Sequence, residues 1–362
     1  MANSSELAFG MIGCGRAALE LHLPAWKCVP GARLAAVCDS NEGGLRAVAE
    51  RVPGVRVYAD LDKFLADSSD LHFVDVTTPG QTHASITLQL IARRLNVLCE
   101  KPLALCENDA RAMVGAANDA GVLLACAHNY RFKKNVQCAL DAIRRGLLGD
   151  VVSASVKFRS GSVLGEPAAW RRRESESRTL LFDWAIHFVD LVLMFLGSPQ
   201  EVHVAYGDVD NVGLQRVLFH TSHGNGSRGV FDLMADASST CTEIEVLGEQ
   251  AGMSLQFSPQ GFRMLPRRDT PIHRCWAEGA RTLDFIRGAL SQRLRPARCP
   301  EQAQSHAALF REFVAAVKGE GQCSTRIEDV LTTVSLLDAV ANEVYRSPLT
   351  RMRSTEPTIA CV

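Results

Sequence analysis

The chain has no surplus of either charge: 39 lysines and arginines stand against 40 aspartates and glutamates, a net charge of −1 over 362 residues. A surface without a single-signed field suits neither nucleic acid nor an anionic membrane, and neither partner is expected. It also has no uncharged apolar run of about 18 residues, the length a membrane span needs. The nearest approach, Leu180 to Leu196, carries Asp183, His187 and Asp190 and reads as a buried helix. There are twelve cysteines but no Cys-x-x-Cys pair, so no zinc site, no thioredoxin-like redox pair and no other metal centre is read from the chain. No secretory signal is legible at the start, and reduced thiols in the cytoplasm are the expectation. Internal repeats and low-complexity segments are missing too. Two short basic runs, Arg171-Arg172-Arg173 and Pro266-Arg267-Arg268, read as solvated charge.

What is present is enough chain for two domains, with 47% apolar residues to build their cores. Over the first 130 residues, short apolar runs alternate with helical patterns. The runs are Leu7–Gly13, Arg33–Asp39, Val55–Tyr58, Leu71–Thr78, Asn96–Glu100 and Val122–Asn129. Nearly unbroken apolar strands separated by helices predict an α/β unit with a doubly wound parallel sheet. From Val151 the strands alternate apolar with polar residues and follow one another with turn signals such as Gly224-Asn225-Gly226. This predicts a second, α+β domain with a mainly antiparallel open sheet, closed by helices at about Glu301–Lys318 and Ile327–Arg346. The expected boundaries are 1–130, 131–349 and a disordered tail over 350–362.

Three clusters carry chemistry. Gly13-x-Gly15-x-x-Ala18 falls where the first strand meets a helix. Gly13 permits a tight turn, Gly15 lets main chain approach a pyrophosphate, and Ala18 allows close packing, while the helix start favours the anion. Asp39 follows the second strand, where a carboxylate binds adenosine ribose hydroxyls and repels a 2′-phosphate, favouring NAD over NADP; capping the next helix is its alternative role. Lys101, within Glu100-Lys101-Pro102, ends the fifth strand on the side of a parallel sheet where ligands sit. Asp183 and His187 are four residues apart, a spacing that puts them on one face of a helix, with Asp190 continuing the stripe. Buried carboxylates and an imidazole are costly unless paired or facing a ligand, and histidine titrates where an alcohol proton is handled.

These motifs and their order, from about Leu7 to about Pro348, resemble the glucose–fructose oxidoreductase / inositol dehydrogenase / rhizopine catabolism (Gfo/Idh/MocA) family of nicotinamide-dependent dehydrogenases. Gly10-Met-Ile-Gly-Cys-Gly-Arg16 with His22-Leu-Pro-Ala25 looks like the family's opening, and Thr77-Thr78-Pro79-Gly-Gln-Thr-His83 its next signature. The resemblance implies an NAD-dependent dehydrogenase or ketoreductase acting on a secondary alcohol of a sugar, aminosugar or cyclitol. Lys101 would act on the substrate oxygen, His187 as general base and Asp183 in orienting the substrate or the lysine. The implied cofactor set is Gly13, Gly15, Arg16, Ala17, Asp39, Thr77, Thr78, Pro79, His83, Glu100, Lys101, Asn129, Trp170 and Arg171. The family usually forms dimers or tetramers, so a homodimer or homotetramer is implied. Two alternatives are an NAD-dependent glycosidase of the same superfamily and a non-catalytic NAD-binding regulator. One departure stands out: many members have a glycine-rich turn before the catalytic aspartate, where this chain has Ser177-Arg178-Thr179-Leu180-Leu181.

Overall fold

The computed structural model describes residues 6–160, 178, 180–209, 213–257, 260–266, 301–346 and 350–352. Its strands are β1 (Leu7–Ile12), β2 (Ala32–Cys38), β3 (Arg56–Tyr58), β4 (Phe73–Val76), β5 (Asn96–Cys99), β6 (Leu124–Cys126), β7 (Val151–Arg159), β8 (Pro199–Val209), β9 (Leu214–His223), β10 (Arg228–Met234), β11 (Cys241–Gly248), β12 (Ala251–Phe257), β13 (Gln260–Pro266) and β14 (Thr350–Met352). Its helices are α1 (Leu23–Trp26), α2 (Glu42–Arg51), α3 (Leu61–Ala66), α4 (His83–Ala92), α5 (Glu107–Ala120), α6 (Lys134–Arg144), α7 (Ile186–Leu196), α8 (Glu301–Val317) and α9 (Ile327–Arg346). The chain divides into two compact units, Met1–Lys133 with Pro296–Val334, and Lys134–Arg295 with Ser335–Val362.

In the first unit six parallel strands run in the order β3-β2-β1-β4-β5-β6. β1 and β4 are buried along their whole length, as apolar runs covered on both faces must be. The helices between them start and stop where the sequence offers caps. Asn41 accepts from the Gly44 N–H at the start of α2, Asp60 accepts from the Lys63 N–H at α3, and Gly121 ends α5 with φ +65°. The strand order reverses between β1 and β4, so the crevice for a ligand opens at their carboxyl ends.

The core of this unit is aromatic. Phe9 stacks on Phe73 with centroids 4.9 Å apart, and Trp26 stacks on Phe310 of α8 at 4.2 Å. Such pairs add about 0.5–1.5 kcal/mol beyond the area they bury. Phe313 completes the group edge-on to Phe73 at 5.1 Å. This corrects the expected division at residue 130. Helix α8 and the first part of α9 belong to the first unit, because Phe310 and Phe313 fill a core that the first 130 residues leave incomplete.

In the second unit eight strands run in the order β13-β12-β11-β7-β10-β9-β8-β14. The pairs β7 with β10 and β8 with β14 are parallel and the others antiparallel. Alternating burial along β7, β9 and β11 gives one inward and one outward face. Helix α7 lies on the inward face, with the Phe188 ring 5.5 Å from Phe158 and 5.1 Å from Phe257. Two strands exceed the sequence reading. β13 went unread, and Thr350–Met352, expected to start a disordered tail, pairs along Gly207–Val209 as β14. Adding an edge strand uses main-chain groups, which leave no side-chain period to read. No helix among the described residues is long and apolar enough to cross a membrane.

Candidate active site

Gly13 leaves β1 with φ +98°, and its N–H donates to the Cys38 carbonyl at 2.8 Å. A Cβ at this position would lie 2.7 Å from the Thr77 main chain, so the turn admits glycine alone. The Thr77 hydroxyl donates to the Gly13 carbonyl at 2.7 Å, tying the end of β4 to the turn. At exposed Gly15, by contrast, a Cβ would meet nothing within 4 Å. That open space lies where the turn enters the helical segment Ala18–His22, with Arg16 exposed and Ala17 half-buried beside it. It fits a pyrophosphate approaching bare main chain.

Asp39 follows β2 and shapes the same loop. One carboxylate oxygen accepts from the Cys14 N–H at 2.6 Å and the other from the Asn41 N–H at 2.7 Å. The cap of α2 is Asn41, so Asp39 is free of the capping role that competed with cofactor binding. A carboxylate has about four acceptor sites, which leaves capacity for ribose hydroxyls. Cys14 is a buried thiol packed here; burial, with Asp39 and Cys38 nearby, pushes its pKa up to about 12 and keeps it inert.

Thr78 is half-buried and accepts from the Thr82 hydroxyl, and Pro79 is exposed at the turn after β4. His83 follows this turn at the start of α4. It is buried, with its ring nitrogens 2.8 Å from the Thr78 carbonyl and 2.6 Å from the Pro102 carbonyl. Burial pulls its pKa down, and the ring braces the β4 turn against the chain after Lys101.

Lys101 is half-buried at the end of β5, before a cis peptide bond to Pro102. Glu100, expected among the cofactor residues, turns its carboxylate inward. One oxygen lies 2.9 Å from His22 Nε2 and the other accepts the Lys101 N–H at 2.8 Å. Burial works against this carboxylate, but hydrogen bonds from His22 and His306 hold it well below the usual carboxylate range. His22 also meets the Asp75 carboxylate, through Nδ1 at 2.8 Å, and Trp26 donates to the same oxygen at 2.7 Å. Asn129 is likewise turned inward, donating to the Ser305 hydroxyl at 3.1 Å. The sequence reading gave no role to His22, Asp75 or His306. The signal for Asp75 was a lone carboxylate inside the apolar strand Phe73-Val-Asp-Val76.

In the second unit Asp183 and His187 flank a junction. Leu180–Ala185 forms a wide turn with i→i+5 hydrogen bonding, and regular helix α7 begins at Ile186. The expected single helix face is therefore interrupted between them. Such turns are frequent at functional sites because they re-aim side chains. Asp183 is half-buried, His187 is 9% exposed and Asp190 is 1% exposed. Arg178 anchors the start of this turn: its carbonyl accepts from Phe182 N at 2.9 Å, while its guanidinium meets Asp338 at 2.6 Å and Asn342 at 3.0 Å. Trp170 and Arg171 lie outside the described residues.

Comparison with known proteins agrees with this architecture. Residues 7–128 match the model of an oxidoreductase family with an NAD-binding Rossmann fold, and residues 136–254 match the GFO/IDH/MocA C-terminal domain. D-apiose dehydrogenase of Paraburkholderia graminis is 27% identical over 96% of this chain and 90% of its own length. The WlbA dehydrogenase of Bordetella pertussis, solved with NADH and UDP-GlcNAcA, superposes with a TM-score of 0.75 at 19% identity, covering 93% of this chain and 95% of that one. A putative myo-inositol dehydrogenase of Sinorhizobium meliloti does so at 0.71 and 22%, covering 94% and 97%. At those identities the two structures share the fold. With both of its domains matched by the family's models, this chain belongs to the Gfo/Idh/MocA oxidoreductases and carries their NAD-binding Rossmann domain.

Proposed function

We propose that the protein oxidises a secondary alcohol of a sugar, aminosugar or cyclitol with NAD, or reduces the matching ketone. The observation that carries this reading is Lys101 at the carboxyl end of β5, on main chain held by Glu100, in the sheet whose β1 turn leaves open space at Gly15. The likeness to a D-apiose dehydrogenase supports the substrate class.

Gly13, Gly15, Arg16 and Ala17 hold the pyrophosphate, Asp39 takes the ribose hydroxyls, and Thr77, Thr78 and Pro79 border the nicotinamide half. Asp39 repels a 2′-phosphate, which favours NAD over NADP. Bound NAD supplies the hydride acceptor for the alcohol carbon. Lys101 donates a hydrogen bond to the alcohol oxygen, His187 accepts the hydroxyl proton and Asp183 orients the substrate. The outward face of the second sheet, where Leu218, Val230 and Leu247 stand exposed, supports pairing with another copy as a homodimer or homotetramer. Scattered cysteines without a Cys-x-x-Cys pair support a cytoplasmic setting.

The test is NADH formation across a panel of sugars, aminosugars and cyclitols that includes D-apiose and myo-inositol, with Lys101→Ala alongside. Loss of one donor to developing charge costs about 10²–10³ in kcat. Lys101→Ala is expected to lose that much while binding NAD normally. Turnover of no panel member, or a Lys101→Ala protein of ordinary rate, rejects the reading.

A further inference from the structure

We propose that His22 is a positioning residue for Lys101 and acts through Glu100. This deepens the assignment of Lys101 made above and rests on it. The ring of His22 is fully buried between two carboxylates, 2.8 Å from Asp75 and 2.9 Å from Glu100. A neutral imidazole donates from one nitrogen only, so both contacts are satisfied when both nitrogens carry protons. The titratable groups around the ring are Asp75 from β4, Glu100 after β5 and His306 from α8, the last with Nε2 3.7 Å from Glu100. Trp26 and Phe310 fill the remaining sides and carry no charge. Burial opposes the charge on His22, but Asp75 and Glu100 outweigh it and raise its pKa to about 10.

The geometry then passes from ring to lysine in two steps. A carboxylate is planar, so fixing one Glu100 oxygen on His22 fixes the direction of the other. That second oxygen receives the Lys101 N–H at 2.8 Å and sets the peptide that leads into the lysine. Asp75 holds the far side of the ring and is itself held by Trp26 at 2.7 Å. Removing the imidazolium leaves two carboxylates buried without their cation, and Glu100 is released to turn.

The same atoms admit one rival occupant. Nitrogen atoms of His22 and His306 and an oxygen of Glu100 lie within 4.8 Å of one another, a spacing that a divalent cation bridges. A metal there would use His22 as a neutral ligand.

The full-length protein labelled with ¹⁵N-histidine tests the charge. Of ten histidine rings, one is expected to remain doubly protonated at about pH 8.5, above the ordinary histidine range. Its signal is expected to vanish in His22→Gln. No doubly protonated ring at that pH, or a stoichiometric divalent metal by elemental analysis, overturns the proposal. Reductive ¹³C-methylation reads Lys101 directly, its signal being the one lost in Lys101→Ala. That signal is expected to move in His22→Gln and in Glu100→Gln; an unmoved signal in both overturns the proposal. In turnover of the most active panel alcohol, His22→Gln is expected to lose about 10²-fold in kcat, the scale of a misplaced group, with KM and NAD affinity held. The double variant with Glu100→Gln should be no slower than Glu100→Gln alone, and additive losses overturn the pathway through Glu100. If His22→Gln does not fold, the ring signal of the unaltered chain and Glu100→Gln still decide. If the unaltered protein turns over no panel alcohol while the ring and lysine signals behave as expected, the substrate reading fails and the clamp stands.

Discussion

A single imidazole is asked to do opposite things at two places in this chain. His22 is locked between carboxylates and keeps its protons, whereas His187 has 9% of its surface open and is assigned a proton to exchange. The second role makes a direct prediction. General-base catalysis contributes about 10²–10⁴-fold, so His187→Asn should lower kcat within that range and flatten the acidic limb of the pH–rate profile for alcohol oxidation. Circular dichroism and NAD titration should match the unaltered protein. An unfolded variant would mark His187 as a core residue, and an unchanged profile would pass the proton to another group. Lys101, Asp183 and His187 stand out in the sequence as candidates because a strand-end lysine and an i,i+4 pair are local patterns. The clamp on His22 does not, since its partners lie 53 and 78 residues away and no local spacing encodes them. The inward turns of His83, Glu100 and Asn129 were missed for the same reason: each answers to groups from another element.

At the scale of elements, the turn between β1 and the first helical segment separates two glycines by what surrounds them. Gly13 sits at φ +98° against Thr77 main chain, and Gly15 faces open space. Gly13→Ala should therefore destabilise the fold, by about 1–3 kcal/mol for a strained backbone position, and weaken NAD as a consequence. Gly15→Ala should leave the urea midpoint in place and weaken NAD alone, because its methyl enters the space assigned to the pyrophosphate. Equal loss of stability in both, measured by urea unfolding, would contradict this division. Elements with strong side-chain periods were legible: the buried parallel strands as unbroken apolar runs, β7 and its neighbours as alternation. The wide turn at Leu180–Ala185 was read as part of a regular helix because, Asp183 apart, its composition is apolar and widening the helix leaves no mark on composition.

Over the whole molecule, the buried cation couples stability to pH. His22 has a folded pKa of about 10, above its ordinary value of about 6.5. Its contribution is complete below about pH 6.5 and is lost as the pH rises through about 10. Between about pH 7 and 10, the unfolding midpoint of the unaltered protein should therefore fall faster than that of His22→Gln, and the two should converge. Parallel curves would show that the ring carries no charge in the fold. The two-unit plan was legible from the switch in strand pattern, but the return of α8 to the first unit was not, because an amphipathic helix does not name the sheet it covers. That return bears on how the molecule is made. The aromatic core around Trp26 and Phe73 waits for Phe310 and Phe313, which leave the ribosome only after the whole β7–β13 region has been synthesised. At about 5–20 residues per second, the nascent first unit spends about ten seconds or longer with that apolar face uncovered, a window of aggregation exposure that closes only when its own helix arrives.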